Sequence, residues 1–286
     1  MPNEKLCDHL TLAFSAIKAT KSVIVRGSSN TYFSNVVCAE MTEMRNAAKH
    51  TVFEFQSAIQ EQIKMLKLMI AAQTFQIGNC YEQALMAFYF LATQKSVLNV
   101  ELIHMPFADH IFVLIGRAEN SDIADPMTWG DDVVVCDPWG CRYYPASDFS
   151  FQMNDLLSDQ LGYSYFYEKE KRDDFKIWFS AKQLIPIPGI IIDDKTDVSD
   201  HVKLHEQYDC YEAANQKNLK QTLWQSNWGF SLLKSSTYQL EDEDNFRNRM
   251  LALRKRTHDL IEEFEKNAMS KLSHPDDSDN CFKPGL

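Results

Sequence analysis

The most constraining feature of this chain is a segment of thirteen residues, 80–92, in which only Glu82 and Gln83 carry polar or charged side chains apart from the tyrosine hydroxyls. Gly78 and Asn79 interrupt the helical pattern before it, and no glycine or proline follows until Pro106. One apolar stripe recurs at helical spacing: Tyr81, Ala84, Leu85, Phe88, Leu91 and Ala92. A helix that is apolar on most sides is usually buried. The sequence therefore predicts a central helix that starts near Cys80.

Two short apolar runs after this helix predict central strands. Residues 111–115 end at Gly116, and residues 133–136 end at Asp137-Pro138, where proline prevents the strand from continuing in a central ladder. Residues 97–103 and 175–179 are further candidate strands. Helices at both ends with strands between them predict an α+β fold.

The pattern of the chain suggests four regions. We predict a helical N-terminal region at 1–76, an α+β core at 77–195, a helical C-terminal region at 196–272 and a disordered tail at 273–286. The C-terminal region includes a charged amphipathic helix over 246–269, and residues 26–30 read as a loop.

Charge and cysteine content limit the partners and the compartment. The net charge is −11 over 286 residues, whereas nucleic-acid binders need a basic surface, so nucleic acid is not an expected partner. Seven cysteines at irregular spacings are typical of free thiols in a reducing, cytosolic compartment. Neither a signal peptide of the usual kind nor a membrane-spanning segment is expected, which predicts a soluble protein.

Cys80 is the first candidate for chemistry. It stands at the predicted N-terminus of the central helix, where unpaired backbone N–H groups and the helix dipole favour a thiolate and can hold an oxyanion. The alternative is a small buried residue with a structural role, since free cysteines are often buried.

His110 and Asp137 stand at the ends of the two predicted central strands. If the strands are antiparallel neighbours joined by the polar loop 117–131, a symmetric register pairs Ile115 with Asp132 and His110 with Asp137. Opposed side chains on one face lie about 5 Å apart. An imidazole oriented by a carboxylate is the arrangement that activates a nucleophile. Taken singly, each residue is also compatible with a place at a strand end or in a turn.

These residues resemble those of the papain-like and transglutaminase-like cysteine enzymes. The resemblance rests on Gly78-x-Cys80-x-x-x-Ala84, on His110 before an apolar strand, and on Val135-x-Asp137-Pro138-Trp139. The order Cys, His, Asp matches that superfamily, and the spacing is most similar to that of bacterial toxin and effector members. Phe112 stands where transglutaminase-like enzymes often have tryptophan.

The resemblance implies a central helix with the nucleophile Cys80, packed on an antiparallel sheet with His110 and Asp137. It implies a thiol hydrolase or acyltransferase (a protease, glutamine deamidase or transglutaminase) that acts on a protein substrate without a cofactor or metal. It also suggests an effector that a bacterium delivers into the host cytoplasm. The candidates for the oxyanion site or the cleft are Gln73, Gln76, Asn79, Tyr81 and Trp139.

Two other readings of the chain remain. The protein is alternatively a non-catalytic binding module in which Cys80 is structural and the acidic C-terminal region contacts a partner. His201 and His205 lie one helical turn apart, a spacing that suits zinc, but two surface histidines explain it better. Cys136 and Cys141 are compatible with pairing, or with a metal site that includes His104, although free thiols are favoured.

Overall fold

The computed structural model of the protein describes residues 4–28, 35–48, 58–94, 99–161, 175–184 and 243–272. Contacts divide the chain into two units, residues 1–192 with 252–286, and residues 193–251. Of the second unit, only 243–251 is described, as part of one helix. His201, His205 and the predicted tail 273–286 lie outside the described residues, and the four predicted regions remain predictions.

Six α-helices occur in the described residues: α1 Glu4–Val23, α2 Asn35–Ala47, α3 Ala58–Phe75, α4 Cys80–Ala92, α5 Phe149–Leu161 and α6 Glu243–Leu272. The predicted central helix is confirmed as α4, which begins at Cys80 and is buried at every residue from Cys80 to Leu91. Among the helices that the structure describes, none is long and apolar enough to cross a lipid bilayer.

The five strands of the first unit form one antiparallel sheet: β1 Val100–Met105, β2 His110–Ile115, β3 Val134–Asp137, β4 Arg142–Pro145 and β5 Lys176–Ser180. Their order is β4-β3-β2-β1-β5. The predicted strands at 111–115, 133–136 and 175–179 correspond to β2, β3 and β5, and the α+β class is confirmed. The strand predicted at 97–103 is β1, which runs from Val100 to Met105 instead.

The two faces of the sheet pack against different helices. Phe112 and Val135 belong to a buried cluster that also includes Phe149 and Met153 of α5. On the other face, Cys136 is hydrogen-bonded to the carbonyl oxygen of Ala13 in α1, and α4 packs against β1, β2 and β3. Because side chains alternate between the faces of a strand, neighbouring residues of β2 contribute to both layers.

The predicted register between β2 and β3 is wrong by two residues. The observed pairs are Val113 with Cys136 and Ile115 with Val134, so continuing the ladder places Asp137 opposite Phe112 rather than opposite His110. A shift of two residues leaves every side chain on its predicted face, since the side-chain period of a strand is two. His110 therefore lies diagonally across from Asp137, on the same face.

Candidate active site

The start of α4 is fixed by a capping arrangement around Cys80. Asn79 is the N-cap, with an extended backbone, and its N–H donates to Oε2 of Glu82 at 2.9 Å. The side chain of Glu82 is buried and is paired with Arg45 of α2, whose Nε donates to Oε1 at 2.9 Å. A glutamate three residues after the N-cap is the usual capping-box partner. These bonds hold the first turn of α4, and with it Cys80, in one orientation.

Gly78 allows the backbone just before α4 to pack closely against the side chains of Ile24 and Glu82. A Cβ atom at this position would lie 2.7 Å from Cδ1 of Ile24 and 2.8 Å from Cβ of Glu82, closer than carbon atoms can approach without rearrangement. Glycine is therefore required for packing at this point, and the segment before Cys80 lies directly against α1's end.

His110 enters the site from a tight turn. A 3₁₀ turn over Pro106–Ala108 is followed by Asp109 in the left-handed conformation, with φ 46° and ψ 43°, and β2 begins at His110. The left-handed region is uncommon for residues other than glycine, although aspartate tolerates it better than most. The turn directs the carbonyl oxygen of Asp109 to Cys80, whose thiol donates to it at a sulfur–oxygen distance of 3.6 Å.

Asp137 orients His110 in a buried environment. Nε2–H of His110 donates to Oδ2 of Asp137 at 2.8 Å, and the backbone N–H of Gly140 donates to Oδ1 at 3.1 Å. His110 is 3% exposed and Asp137 is 0% exposed. Burial lowers the pKa of His110, but the charge and hydrogen bond of Asp137, helped by Cys80, outweigh burial and raise that pKa to about 10. The ring is therefore an imidazolium at neutral pH.

Cys80 completes the arrangement on the other side of the imidazole. Its sulfur lies beside the residue that precedes His110, 3.6 Å from the carbonyl oxygen of Asp109, and Cys80 contributes to the raised pKa of His110. Because Nε2 is occupied by Asp137, the nitrogen that remains for Cys80 is Nδ1. As a residue, Cys80 is 9% exposed, more than either His110 or Asp137. The structure thus brings Cys80, His110 and Asp137 into one neighbourhood, as the sequence predicts.

The remaining predicted site residues divide into neighbours of this triad and residues apart from it. Trp139 lies beside the site, with its ring centroid 5.3 Å from that of His110. Tyr81 is buried, and its ring stacks on that of Trp178 of β5 with the centroids 5.0 Å apart. Gln73 and Gln76 are exposed, and within the described residues neither side chain is hydrogen-bonded to the triad.

Backbone N–H groups lie next to Cys80 at the start of α4. The first intrahelical bond runs from the N–H of Gln83 to the carbonyl oxygen of Asn79 at 3.0 Å. The N–H groups of Cys80 and Tyr81 precede this bond, at the positively polarised end of the helix. These groups, rather than Gln73 or Gln76, are the donors closest along the chain to the sulfur.

Sequence reasoning missed four residues that support the site. Glu82 had a readable signal, because Asn79-x-x-Glu82 has the spacing of a capping box. Arg45, Asp109 and Ser28 had none, since their roles depend on contacts with distant segments or on a backbone conformation that composition does not reveal.

The other described cysteines are free thiols: Cys7, Cys38, Cys136 and Cys141. Cys136 is fully buried, and burial, with a smaller contribution from the charge of Asp137, raises the pKa of its thiol well above the ordinary value. A buried thiol of that kind is a poor nucleophile. The described part of the chain contains no cluster of three or more histidine, cysteine, aspartate or glutamate residues that is suited to a metal ion.

A scan against protein-family models, a search of curated proteins and a search of solved structures found no match to this chain.

Proposed function

We propose that this protein is a cysteine-dependent hydrolase or acyltransferase with a papain-like or transglutaminase-like core, in which Cys80 is the nucleophile. The observation that carries the proposal is the buried hydrogen bond between the imidazole of His110 and the carboxylate of Asp137, with the sulfur of Cys80 beside the residue that precedes His110. A base that is hydrogen-bonded to a nucleophile and oriented by a third group is the general signature of covalent catalysis.

In the resting site the proton of Cys80 is held on Nδ1 of His110, so that the two groups form a thiolate–imidazolium pair. Asp137 stabilises the charged ring through Nε2–H, and Gly140 holds the carboxylate in place. The thiolate attacks the carbonyl carbon of an amide, a C–S bond forms, and the carbonyl π electrons move to oxygen. The backbone N–H groups at the start of α4 are suited to bind that oxyanion.

In the second step, the oxyanion re-forms the carbonyl, the C–N bond breaks, and His110 donates its proton to the leaving amine. A thioester of Cys80 remains. Water, deprotonated by His110, then releases the acid, which amounts to proteolysis or deamidation. An amine in place of water gives a new amide, which amounts to transglutamination. All three outcomes use the same three residues.

The class of substrate follows from the resemblance to papain-like and transglutaminase-like enzymes. We propose a protein substrate whose peptide bond or glutamine side chain supplies the amide, and, on the same grounds, a role as a bacterial effector in a host cytoplasm. Peptide cleavage, ammonia release and amine incorporation into a glutamine-containing protein distinguish the three reactions.

The test is the pH dependence of Cys80 alkylation by iodoacetamide, measured by mass spectrometry on the peptide that contains Cys80. Wild type is compared with His110→Ala, and His258→Ala on α6 is the matched control because α6 contributes no residue to the triad. Exposed Cys7 provides an internal reference in each sample.

We expect Cys80 of wild type and of His258→Ala to react at a pH well below that at which Cys7 reacts, and His110→Ala to lose this property. If Cys80 reacts no more readily than Cys7 in wild type, or is unaffected by His110→Ala, the proposal fails. The protein is then better explained as a binding module with a structural cysteine.

A further inference from the structure

We infer that Ser28 is a positioning residue for the triad: its hydroxyl joins the start of the Cys80 helix to the turn that follows Asp137. This role rests on the proposed function, because it concerns the distance between the nucleophile and its base. Ser28 contacts neither the sulfur nor the imidazole in any hydrogen bond described above, so it acts through other residues.

The hydroxyl of Ser28 makes one bond to each half of the site. It donates to Oδ1 of Asn79, the N-cap directly before Cys80, at 2.9 Å. It accepts from Nε1–H of Trp139, two residues after Asp137, at 3.1 Å. Ser28 is 3% exposed, so both bonds are shielded from water that would otherwise replace them.

The backbone around Ser28 is itself fixed to the segment before the helix. The N–H of Arg26 donates to the carbonyl oxygen of Gln76 at 3.0 Å, and the N–H of Gly78 donates to the carbonyl oxygen of Gly27 at 3.1 Å. Residues 26–28 therefore lie beside residues 76–79 and are hydrogen-bonded to them through the backbone. The Ser28 hydroxyl connects this pair of segments to Trp139.

This link matters because the triad is assembled from separate elements. Cys80 belongs to α4, whereas Asp137 ends β3 and the ring of Trp139 lies against His110 at 5.3 Å. Small displacements of a nucleophile from its base have large effects on rate. A bond that fixes the N-cap against the ring beside His110 limits the relative movement of the two halves.

The test measures the pH profile of Cys80 alkylation in the full chain for Ser28→Ala, Trp139→Phe and the double variant. Ser22→Ala is the matched control, because Ser22 is exposed and donates to the carbonyl oxygen of Ala19 in the same helix. Thermal unfolding of each variant separates loss of reactivity from loss of folding, and Ser28→Thr, which keeps the hydroxyl, tests rescue.

We expect Ser28→Ala and Trp139→Phe each to lower the rate of Cys80 alkylation at pH 6 about three- to tenfold, the range that one hydrogen bond supports. The double variant is expected to lose no more than the larger single loss, because both changes break the same link. Ser28→Thr and Ser22→Ala are expected to stay within about twofold of wild type.

Three results overturn the inference. If wild-type Cys80 reacts at low pH and His110→Ala abolishes this, but folded Ser28→Ala reacts as wild type does, Ser28 has no positioning role while the proposed function stands. The same holds if the two losses are additive. If wild-type Cys80 shows no reactivity at low pH, both the proposed function and the role of Ser28 are refuted.

Discussion

Replacing Asp137 by asparagine is expected to preserve the fold and to disable the site, because the two side chains have the same shape but different hydrogens. The N–H of Gly140 donates to Oδ1 of Asp137 at 3.1 Å, and this backbone donor needs an acceptor. The asparagine must therefore place its carbonyl oxygen toward Gly140. Its amide NH₂ group then takes the place of Oδ2, 2.8 Å from Nε2 of His110.

The consequence for His110 is a change of both charge and tautomer. An amide NH₂ group only donates, so Nε2 has to accept and the ring proton has to sit on Nδ1, which faces Cys80. Such a ring cannot take the proton of the thiol. The carboxylate that raises the pKa of His110 to about 10 is also gone, while the burial that lowers the pKa remains.

The expected loss in the rate of Cys80 alkylation follows from these two states of the ring. At pH 7 the wild-type imidazole is almost fully protonated, whereas a ring with a pKa at or below the ordinary value is protonated in less than about a quarter of molecules. A free thiol is about 3% thiolate at pH 7. Loss of the ion pair is therefore expected to slow Cys80 alkylation at pH 7 by about 30-fold at most. The same substitution in the serine-protease triad lowers kcat about 10⁴-fold.

Two measurements on Asp137→Asn check this reasoning. Long-range proton–nitrogen correlation spectra of the imidazole rings report the tautomer of His110, and alkylation at pH 7 reports the thiolate. Asp131→Asn, at an exposed aspartate before β3, is the matched control. A variant that keeps His110 protonated at pH 7 and alkylates Cys80 at the wild-type rate would refute the argument.

Three further predictions follow from the packing and charges around the site. Because the pKa of His110 is raised to about 10, its contribution to the free energy of unfolding is complete below about pH 6.5 and is lost as the pH rises toward 10. Urea titrations should show that the free energy of unfolding falls by at most about 5 kcal/mol over this interval. The fall should be absent in His110→Asn. Gly78→Ala forces a methyl group against Ile24 and should lower the free energy of unfolding by about 2 kcal/mol, and an unchanged urea midpoint would contradict this. Arg45→Met should lower the free energy of unfolding by about 2 kcal/mol more than Glu82→Gln does. The first variant leaves a fully buried carboxylate without its cation, whereas the second leaves an arginine side chain that is 43% exposed. Equal losses of stability in the two variants would be evidence against the pairing.

Local patterns were enough to predict the elements that carry the triad. The apolar run after Gly78-Asn79 predicted a buried helix that begins at Cys80, and the structure has that helix. The apolar run after His110 predicted β2. These elements are predictable because the neighbours of a residue along the chain largely determine whether a helix or a strand forms. The burial of the element determines how apolar its residues must be.

Pairing between elements was less predictable. The symmetric register predicted for β2 and β3 differs from the observed one by two residues, because the loop between these strands is not a simple hairpin. A 3₁₀ turn at Pro126–Thr128 and the buried ring of Trp129 occupy part of that loop. The predicted face of Asp137 was nevertheless right, since a shift of two preserves alternation. The contacts of Ser28 with Asn79 and Trp139 join segments far apart in the sequence, and no local pattern encodes them.

The energetics of the His110–Asp137 pair favour the enzyme over the binding module. Both side chains are almost completely removed from water, and burial opposes the charge on the imidazole. In a buried site of this kind, an apolar pair of similar volume is often as stabilising as an ion pair, or more so. Packing alone therefore gives no reason for a buried imidazolium beside a thiol. A site that needs a stabilised thiolate at Cys80 does give such a reason, because a ring held charged and oriented by Asp137 offsets the negative charge of the sulfur.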